Sequence, residues 1–139
     1  MIKELVTDEA ILSTPCEPAT AEDAAIAADL VDTLTSLDDA ACLAANQIGE
    51  TKAIVAYVDA EEQVHVLYNP KVLFGMGAYK VEETCLTREG ASKVTRFVKI
   101  KASYDELVDG QLKPRKRDFV EWEAELIQHM CDHCKGKLV

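Results

Sequence analysis

The 139-residue sequence contains no apolar run close to the roughly 20 residues that a membrane-spanning helix requires. Its first residues, MIKELVTDEAIL, lack the long apolar segment and the small-residue cleavage site of a secretory signal peptide. We therefore expect a cytoplasmic protein that has no membrane as its partner.

Positive charge is also scarce. The 15 lysines and arginines are outnumbered by 25 acidic residues, which leaves a net charge of -10. A surface this acidic repels phosphate backbones and anionic lipids, so we expect neither nucleic acid nor a membrane surface as the main partner. The length suits one domain that spans residues 1–139. The oligomeric state is left open.

The cysteine count is odd, which does not suit a framework of disulfides in a chain without a secretion signal. The five cysteines are Cys16, Cys42, Cys85, Cys131 and Cys134. Free thiols, buried thiols and metal ligands are the interpretations that remain.

Helical periodicity appears near both ends of the chain. Ile26, Leu30, Leu34 and Leu37 form one apolar stripe, which predicts a helix that starts near Thr20 or Asp23. Near the other end, Asp118 with Glu121 resembles a capping box and predicts the start of a terminal helix.

The middle of the chain is rich in short β patterns. AIVAYV (53–58) and VHVLY (64–68) predict two strands, the second ended by a turn at Asn69-Pro70. KVLFGMG and AYKVEETCL predict two further short strands, and Asp109-Gly110 predicts a hairpin turn. The expected class is α+β, with mostly antiparallel sheets packed around a C-terminal metal-binding helix.

Two histidines on the terminal helix, His129 and His133, are four residues apart and therefore share one helix face. Trp122 and Leu126 lie on the same face, so both imidazoles project toward the buried side. From the spacing alone, a pair of hydrogen-bonded core histidines and a pair of metal ligands remain equally open.

A catalytic metal site needs a third protein ligand and one open position. Cys131 points to another helix face and Cys134 is about 100° around the helix from His133, so the third ligand should come from elsewhere. Cys85, in EETCLTREG, is the candidate, because it follows a predicted strand and precedes a polar, glycine-containing segment. A small buried hydrophobic residue is its alternative role.

Three motifs in order resemble those of the peptide deformylase family, which removes the formyl group from nascent proteins. The family motifs G-x-G-L-A-A-x-Q, E-G-C-L-S and H-E-x-x-H correspond here to ACLAANQ (from Ala41), ETCLT and HMCDH. The resemblance covers nearly the whole chain, and it implies an α+β peptide-deformylase fold.

The resemblance also implies roles for individual residues. Cys85, His129 and His133 would hold one divalent metal per chain, Fe²⁺ in the family, with Zn²⁺, Ni²⁺ or Co²⁺ as alternatives. The Gln47 side chain and the backbone N–H of Leu86 would stabilise the oxyanion. The substrate would be an N-formyl-methionyl peptide or nascent-chain terminus. Its methionine side chain would enter a pocket lined by Trp122 and Leu126, beside Cys42.

The sequence departs from the family where the chemistry is most demanding. Met130 occupies the position of the general base, and a thioether cannot accept a proton from water or pass one to the leaving amine. Glu83 is a possible replacement base. Cys42 replaces a glycine and could narrow the cleft, while Asp132 is retained and could orient the site.

Four functional hypotheses follow. The first is an impaired deformylase, and the second is an inactive paralogue that binds metal and formylated or acylated peptide termini. The third is a redox dithiol at Cys131 and Cys134, although such pairs usually sit at a helix N-terminus. The fourth is a structural zinc site that Cys42 closes as the fourth ligand.

Overall fold

The structure, a computed structural model, describes residues 1–139 apart from the side chains of residues 88 and 89. Its elements follow in the order α1 (Glu9–Leu12), α2 (Ala24–Ser36), β1 (Cys42–Ala44), β2 (Ile54–Val58), β3 (Val64–Cys85), β4 (Arg88–Val108), β5 (Gln111–Val120) and α3 (Glu121–Cys134). The strands form one antiparallel sheet in sequence order. The predicted α+β class, with an antiparallel sheet packed on the terminal helix, is confirmed. Among the described helices, none is long and apolar enough to cross a membrane.

The two long helices cover opposite faces of the sheet. Alternate residues of a strand point to opposite faces, and β2 is buried along nearly its whole length. Val55 and Tyr57 pack in a cluster with Ile127 of α3, whereas Ile54 packs in a second cluster with Leu30 of α2. The sheet is therefore the shared wall of two apolar cores, one under each helix.

The predicted turn at Asn69-Pro70 is wrong, as is the pair of short strands after it. A single strand, β3, runs through both segments as far as Cys85, and its register with β4 shifts between Tyr68 and Lys71. Asn69 adopts a positive φ of 53° at this bulge, and its side chain donates a hydrogen bond of 3.0 Å to the carbonyl of Ala19. A bulge absorbs the irregular residues and lets pairing continue beyond them.

The terminal helix begins later than predicted. Asp118 lies in β5, where it pairs with Lys101, and α3 starts at Glu121 after a sharp turn with a φ of 53°. Continued strand pairing therefore overrides the local capping signal. The hairpin at Asp109-Gly110 is confirmed, because both residues have positive φ and join the paired residues of β4 and β5.

Candidate metal centre

Three potential ligand atoms meet where the end of β3 faces the C-terminal half of α3. The Sγ of Cys85 lies 3.4 Å from Nε2 of His133, which lies 3.1 Å from Nε2 of His129. The three ligand atoms are all within 4.8 Å of one another. The structure thus brings together the two histidines of one helix face and a thiol from about forty residues earlier in the chain.

The ring of His129 is held from behind by a carboxylate. Nδ1 of His129 lies 2.8 Å from Oε1 of Glu83, which leaves Nε2 as the atom that points into the cluster. A carboxylate on the outer nitrogen fixes the tautomer and raises the basicity of the inner one, as in many metal sites. Glu83, a possible replacement base from the sequence, therefore contacts His129 and orients its ring.

Glu83 is itself fixed by a buried arginine. Arg96 of β4 donates to both carboxylate oxygens of Glu83, at 2.9 and 2.6 Å, and a third hydrogen bond of 2.7 Å reaches Asp132 of α3. Arg96 and Glu83 are both largely buried, so these charges are paired rather than solvated. One guanidinium thus ties β3, β4 and α3 together behind the ligands.

Protonation follows from these contacts. Burial works against ionisation of Cys85, but hydrogen bonds from His129 and His133 outweigh it and lower the pKa of the thiol to about 5. Burial would also lower the pKa of His129, yet contacts with Cys85 and Glu83 raise it to about 9. For Glu83, hydrogen bonds from His129 and Arg96 overcome burial and hold the pKa at about 2. The cluster therefore favours a thiolate next to basic imidazole.

This donor set fits a transition metal. One thiolate sulfur and two imidazole nitrogens suit Zn²⁺, Fe²⁺, Ni²⁺ or Co²⁺, and three protein ligands are the number typical of a catalytic rather than a structural site. Cys42 is not part of the close group of ligand atoms. That placement does not favour the four-ligand structural site considered from the sequence.

Gln47 lies beside the cluster in a fixed orientation. Its Oε1 accepts a hydrogen bond of 2.9 Å from the backbone N–H of Ala44, so its Nε2 points outward. That nitrogen lies 3.2 Å from the sulfur of Cys85 and 3.2 Å from Oγ1 of Thr87. Gln47 lies in a short 3₁₀ helix, Ala45–Ile48. In the same helix, Asn46 donates a hydrogen bond of 2.9 Å to the carbonyl of His133 and so joins this segment to α3.

A cavity of about 270 Å³ opens beside these groups. It is lined by Asp39, Ala40, Ala41, Cys42, Gln47, Thr84, Cys85, Leu86, Leu126 and His129. Cys42, Leu86 and Leu126 are thus among the residues that line this cavity. Trp122 does not line it, and 46% of that residue is exposed in the first turn of α3.

A smaller cavity of about 250 Å³ adjoins the first, and three glutamates are among its seven lining residues. Glu82, Glu83 and Glu125 contribute to it, together with Leu126 and His129. Glu125 stands one turn before His129, accepts a hydrogen bond of 3.1 Å from Tyr79 and has a raised pKa, caused first by burial and then by Glu83. Sequence reasoning missed Glu125, although its spacing of four from His129 was a usable signal.

Met130 is sealed away from both cavities. It is 0% exposed and packs in the apolar cluster with Ala44, Val55 and Ile127. It lines neither cavity beside the cluster. The side chain therefore acts as core packing on the sheet side of α3.

Cys131 and Cys134 do not form an activated dithiol. Burial raises the pKa of Cys131 to about 12, and a hydrogen bond to Cys16 together with burial raises that of Cys134. A redox dithiol requires a lowered thiol pKa, so this arrangement does not favour the redox hypothesis. Burial, followed by the charges of Cys85 and Glu83, raises the pKa of Cys42 to about 12.

Comparison with known proteins gives a consistent result. A model of the family described as polypeptide deformylase matches residues 2–139. The chain is 34% identical over 140 residues to a peptide deformylase of Clostridium beijerinckii, and the match covers 100% of both proteins. It is 35% identical over 113 residues to peptide deformylase 3 of Shewanella oneidensis, covering 79% of this chain and 68% of that relative.

Solved structures show the same fold. A peptide deformylase from Legionella pneumophila superposes with a TM-score of 0.84 at 25% identity, covering 99% of this chain and 83% of that one. A class I type b peptide deformylase from Acinetobacter baumannii, with Met-Ala-Ser bound, gives a TM-score of 0.84 at 22% identity and covers 99% and 97% of the two chains.

Proposed function

Because this chain belongs to the peptide deformylase family, we propose that it hydrolyses the N-formyl group of formyl-methionyl peptides slowly, without the usual general base. The observation that carries the proposal is the cluster of Cys85, His129 and His133, whose ligand atoms lie within 4.8 Å of one another. The proposed setting is the cytoplasm, where nascent chains carry the formyl group.

Cys85, His129 and His133 would hold one divalent metal ion per chain, Fe²⁺ by family and Zn²⁺, Ni²⁺ or Co²⁺ as alternatives. When bound, such an ion supplies Lewis-acid chemistry and lowers the pKa of water. Glu83 keeps the outer nitrogen of His129 occupied, and Arg96 keeps Glu83 in place. These residues determine where the ligand atoms point before a metal arrives.

Gln47 and Leu86 would act on the carbonyl oxygen of the formyl group. The Nε2 of Gln47 is fixed by the contact of its Oε1 with Ala44, and it donates into the space beside Cys85. Leu86 directly follows Cys85 and lines the same cavity, so its backbone N–H is a second candidate donor. Donors held in place before reaction stabilise developing negative charge without reorganisation.

Among the side chains that the structure describes, none is positioned to act as the general acid–base group. Met130 is apolar and buried in the core, and Glu83 is bound to both Arg96 and His129. A positioned general acid–base group typically contributes about 10²–10⁴-fold in rate. We therefore expect kcat/KM below that of a family member with the glutamate by roughly this factor.

The test is a deformylation assay on purified protein whose metal content is first measured by elemental analysis. Formyl-Met-Ala-Ser is the substrate, and the variants are Met130→Glu and Met130→Gln. The two replacements have similar size, and a polar side chain at position 130 is costly inside the apolar cluster, so each should turn toward the metal centre, where only the glutamate can transfer a proton. We expect a low wild-type rate above background, an increase of about 10²-fold or more in Met130→Glu and little change in Met130→Gln.

Two results would contradict the proposal. If metal-loaded wild-type protein cleaves the substrate no faster than buffer alone, the protein is not a deformylase. Equal rates for Met130→Glu and Met130→Gln would show that position 130 does not control proton transfer.

A second candidate function is a binding module for formylated or acylated peptide termini. The burial of Met130 favours this function, because an apolar residue packed in the core occupies the position that holds the general base in the family. In this case metal-loaded protein would bind formyl-Met-Ala-Ser, measured by calorimetry, and the peptide would be recovered with its formyl group intact.

A further inference from the structure

Two thiols meet outside the metal centre, where the N-terminal arm (residues 13–18, between α1 and α2) crosses the end of α3. The backbone N–H of Cys16 donates a hydrogen bond of 2.8 Å to the carbonyl of Cys134, the last residue of that helix. The two side chains are also hydrogen-bonded to each other. Neither sulfur belongs to the group of ligand atoms that includes Cys85. The proposed deformylase chemistry therefore makes no use of this pair.

The backbone at Cys16 is held on both sides of the arm. The next residue, Glu17, donates a hydrogen bond of 2.9 Å to the carbonyl of Thr51 and accepts one of 2.9 Å from the N–H of Ala53, just before β2. One residue of the arm is thus bonded to the helix and its neighbour is bonded to the start of a strand. The position of Cys16 is therefore fixed relative to both elements.

The end of α3 also permits a close approach of the arm. Gly136, just after the helix, has a φ of 78°, and a Cβ at this position would lie 2.5 Å from the carbonyl oxygen of Ser13 and 2.9 Å from the nitrogen of Pro15. Glycine tolerates both the positive φ and the close contact. The arm therefore packs directly on the backbone at the end of the helix.

This packing brings the two cysteines within reach of a disulfide. With standard backbone dimensions, the hydrogen bond of 2.8 Å from Cys16 to Cys134 leaves their Cα atoms no more than about 6.7 Å apart. Disulfides usually span about 4.4–6.8 Å between Cα atoms. The hydrogen bond between the side chains adds that the two sulfurs already point toward each other. The bond therefore needs no large movement of the backbone.

Of the two thiols, Cys16 is the nucleophile. The hydrogen bond from Cys134 lowers the pKa of Cys16, against the opposing effect of burial. The thiolate, and not the thiol, is the form that reacts with oxidants. Both residues are partly exposed, so a small oxidant can reach them, whereas Cys131 is only 3% exposed. The reactive pair is therefore Cys16 with Cys134, and not the two cysteines of the C-x-x-C sequence.

We propose that hydrogen peroxide joins Cys16 and Cys134 in a reversible disulfide that ties the N-terminal arm to the end of α3. The Cys16 thiolate attacks one peroxide oxygen, the O–O bond breaks, and the leaving hydroxide takes up a proton to become water. The sulfur of Cys134 then attacks the sulfur of the resulting sulfenic acid. The S–O bond breaks, and hydroxide leaves as water with the proton of the Cys134 thiol. Two thiols are oxidised, one peroxide is reduced to two waters, and a dithiol reductant reverses the change.

The disulfide stabilises the fold under oxidising conditions. It closes a loop from residue 16 to residue 134, which contains the whole sheet, and such a crosslink restricts the unfolded chain. Cys134 directly follows His133, so the bond also secures the end of the helix that carries this candidate ligand. In a reducing cytoplasm, the setting proposed above, disulfides are usually transient and often redox-sensing. The bond should therefore form under peroxide and be lost afterwards.

The test treats zinc-loaded full-length protein with one equivalent of hydrogen peroxide. Zinc is present because it competes with peroxide for the thiolate of Cys85. We expect the intact mass to fall by two hydrogen atoms, and mass spectrometry of non-reduced peptides to show Cys16 linked to Cys134. Dithiothreitol should restore the original mass. A link from Cys131 to Cys134, a link that includes Cys85, or oxidation of the protein without any link would overturn the proposal.

Matched variants separate this pair from its neighbours. Cys16→Ala should abolish the disulfide, whereas Cys131→Ala removes a thiol from the same helix end and should leave it intact. Equal disulfide yields in these two variants would refute the pairing. In Cys134→Ala the sulfenic acid has no thiol to attack it, so dimedone should label Cys16 strongly in this variant and weakly in the wild type. Equal labelling of Cys16 in both proteins would contradict the proposed order of steps.

The melting temperature distinguishes a stabilising disulfide from an incidental one. The oxidised wild type should melt about 5–15 °C above the reduced protein, the shift expected for a crosslink across a long loop in a domain of this size. Peroxide should leave the melting temperature of Cys16→Ala unchanged, which excludes a general effect of the oxidant. A wild type that forms the disulfide without melting at a higher temperature would show that the bond strains the arm, and would overturn its role in stability.

Discussion

His129 and Met130 are neighbours in α3, but their surroundings have little in common. His129 contacts a carboxylate on one ring nitrogen and points the other at His133, whereas Met130 is enclosed by apolar side chains of the sheet. Successive residues on a helix project about 100° apart, so the two positions face different parts of the molecule. The candidate metal ligand and the residue after it therefore lie in separate environments, one polar and one apolar.

The largest expected effect is the loss of the metal from a ligand variant. Cys85→Ser should reduce metal content from stoichiometric to background, because a hydroxyl is a much poorer ligand than a thiolate for these ions. Cys134→Ser is the matched control, since that thiol lies outside the ligand cluster. Elemental analysis after dialysis measures both, and equal metal content in the two variants would exclude Cys85 as a ligand.

Met130 should matter for stability and not for metal content. Met130→Ala is expected to lower the free energy of unfolding by about 2–5 kcal/mol, the usual cost of truncating a large buried side chain. Urea unfolding measures this change, and elemental analysis should show an unchanged metal content. A stable variant that has lost its metal would show that Met130 contributes to the metal site, and would contradict the separation of the His129 and Met130 environments.

Thiol reactivity should distinguish the cluster from the core. In metal-free protein near neutral pH, Cys85 is expected to be ionised because its pKa is lowered to about 5, whereas Cys131, with a pKa of about 12, stays protonated. Alkylation of Cys85 should be faster by about 100-fold or more, and should slow only as the pH falls toward 5. Mass spectrometry of iodoacetamide-treated protein gives the rates, and zinc should protect Cys85. Equal rates would show that the cluster does not activate the thiol.

Substitution of Glu83, which orients the ring of His129, should have an intermediate effect on metal affinity. Glu83→Gln is expected to weaken metal affinity about 10–100-fold, the usual effect of changing a residue that orients a ligand. Glu82→Gln makes the same change at the exposed neighbouring position and should leave the affinity near that of wild type. Competition with a chelator measures both, and a normal affinity in Glu83→Gln would show that the tautomer of His129 is fixed by other contacts.

The smallest expected effect concerns the adjoining acidic cavity. Glu125→Leu replaces a carboxylate beside Leu126 and His129 with an apolar side chain of similar size. A methionine side chain should then bind more favourably, with KM for formyl-Met-Ala-Ser lower by about 10-fold. The ratio of KM values for formyl-Met and formyl-Lys peptides is the measurement. An unchanged ratio would show that the first side chain of the substrate binds elsewhere.

Local patterns and the family resemblance predicted a large part of this arrangement. The spacing of His129 and His133 is a property of one helix, so it could be read without tertiary information. The position of Cys85 came from the order of the three motifs, and the structure brings its sulfur to both imidazoles. The α2 stripe and the Asp109-Gly110 turn depend equally on local signals.

Other features depend on partners that are distant in the sequence. β3 continues through Asn69-Pro70 because the Asn69 side chain bonds to Ala19 and Asp105, which no local pattern reveals. Trp122 shares a helical stripe with the histidines but belongs to the first turn of α3, where it is exposed. Arg96 was missed because it is a single cation in an otherwise ordinary strand, and its importance arises from two carboxylates on other elements.

The buried arginine has a consequence for how this protein can vary among its relatives. Glu83 and Asp132 share the guanidinium of Arg96, and removing one partner from such a buried charged group costs about 3–5 kcal/mol. Single substitutions at any of the three should therefore be selected against. In related sequences these positions should change together or stay as they are, whichever residue follows the first histidine.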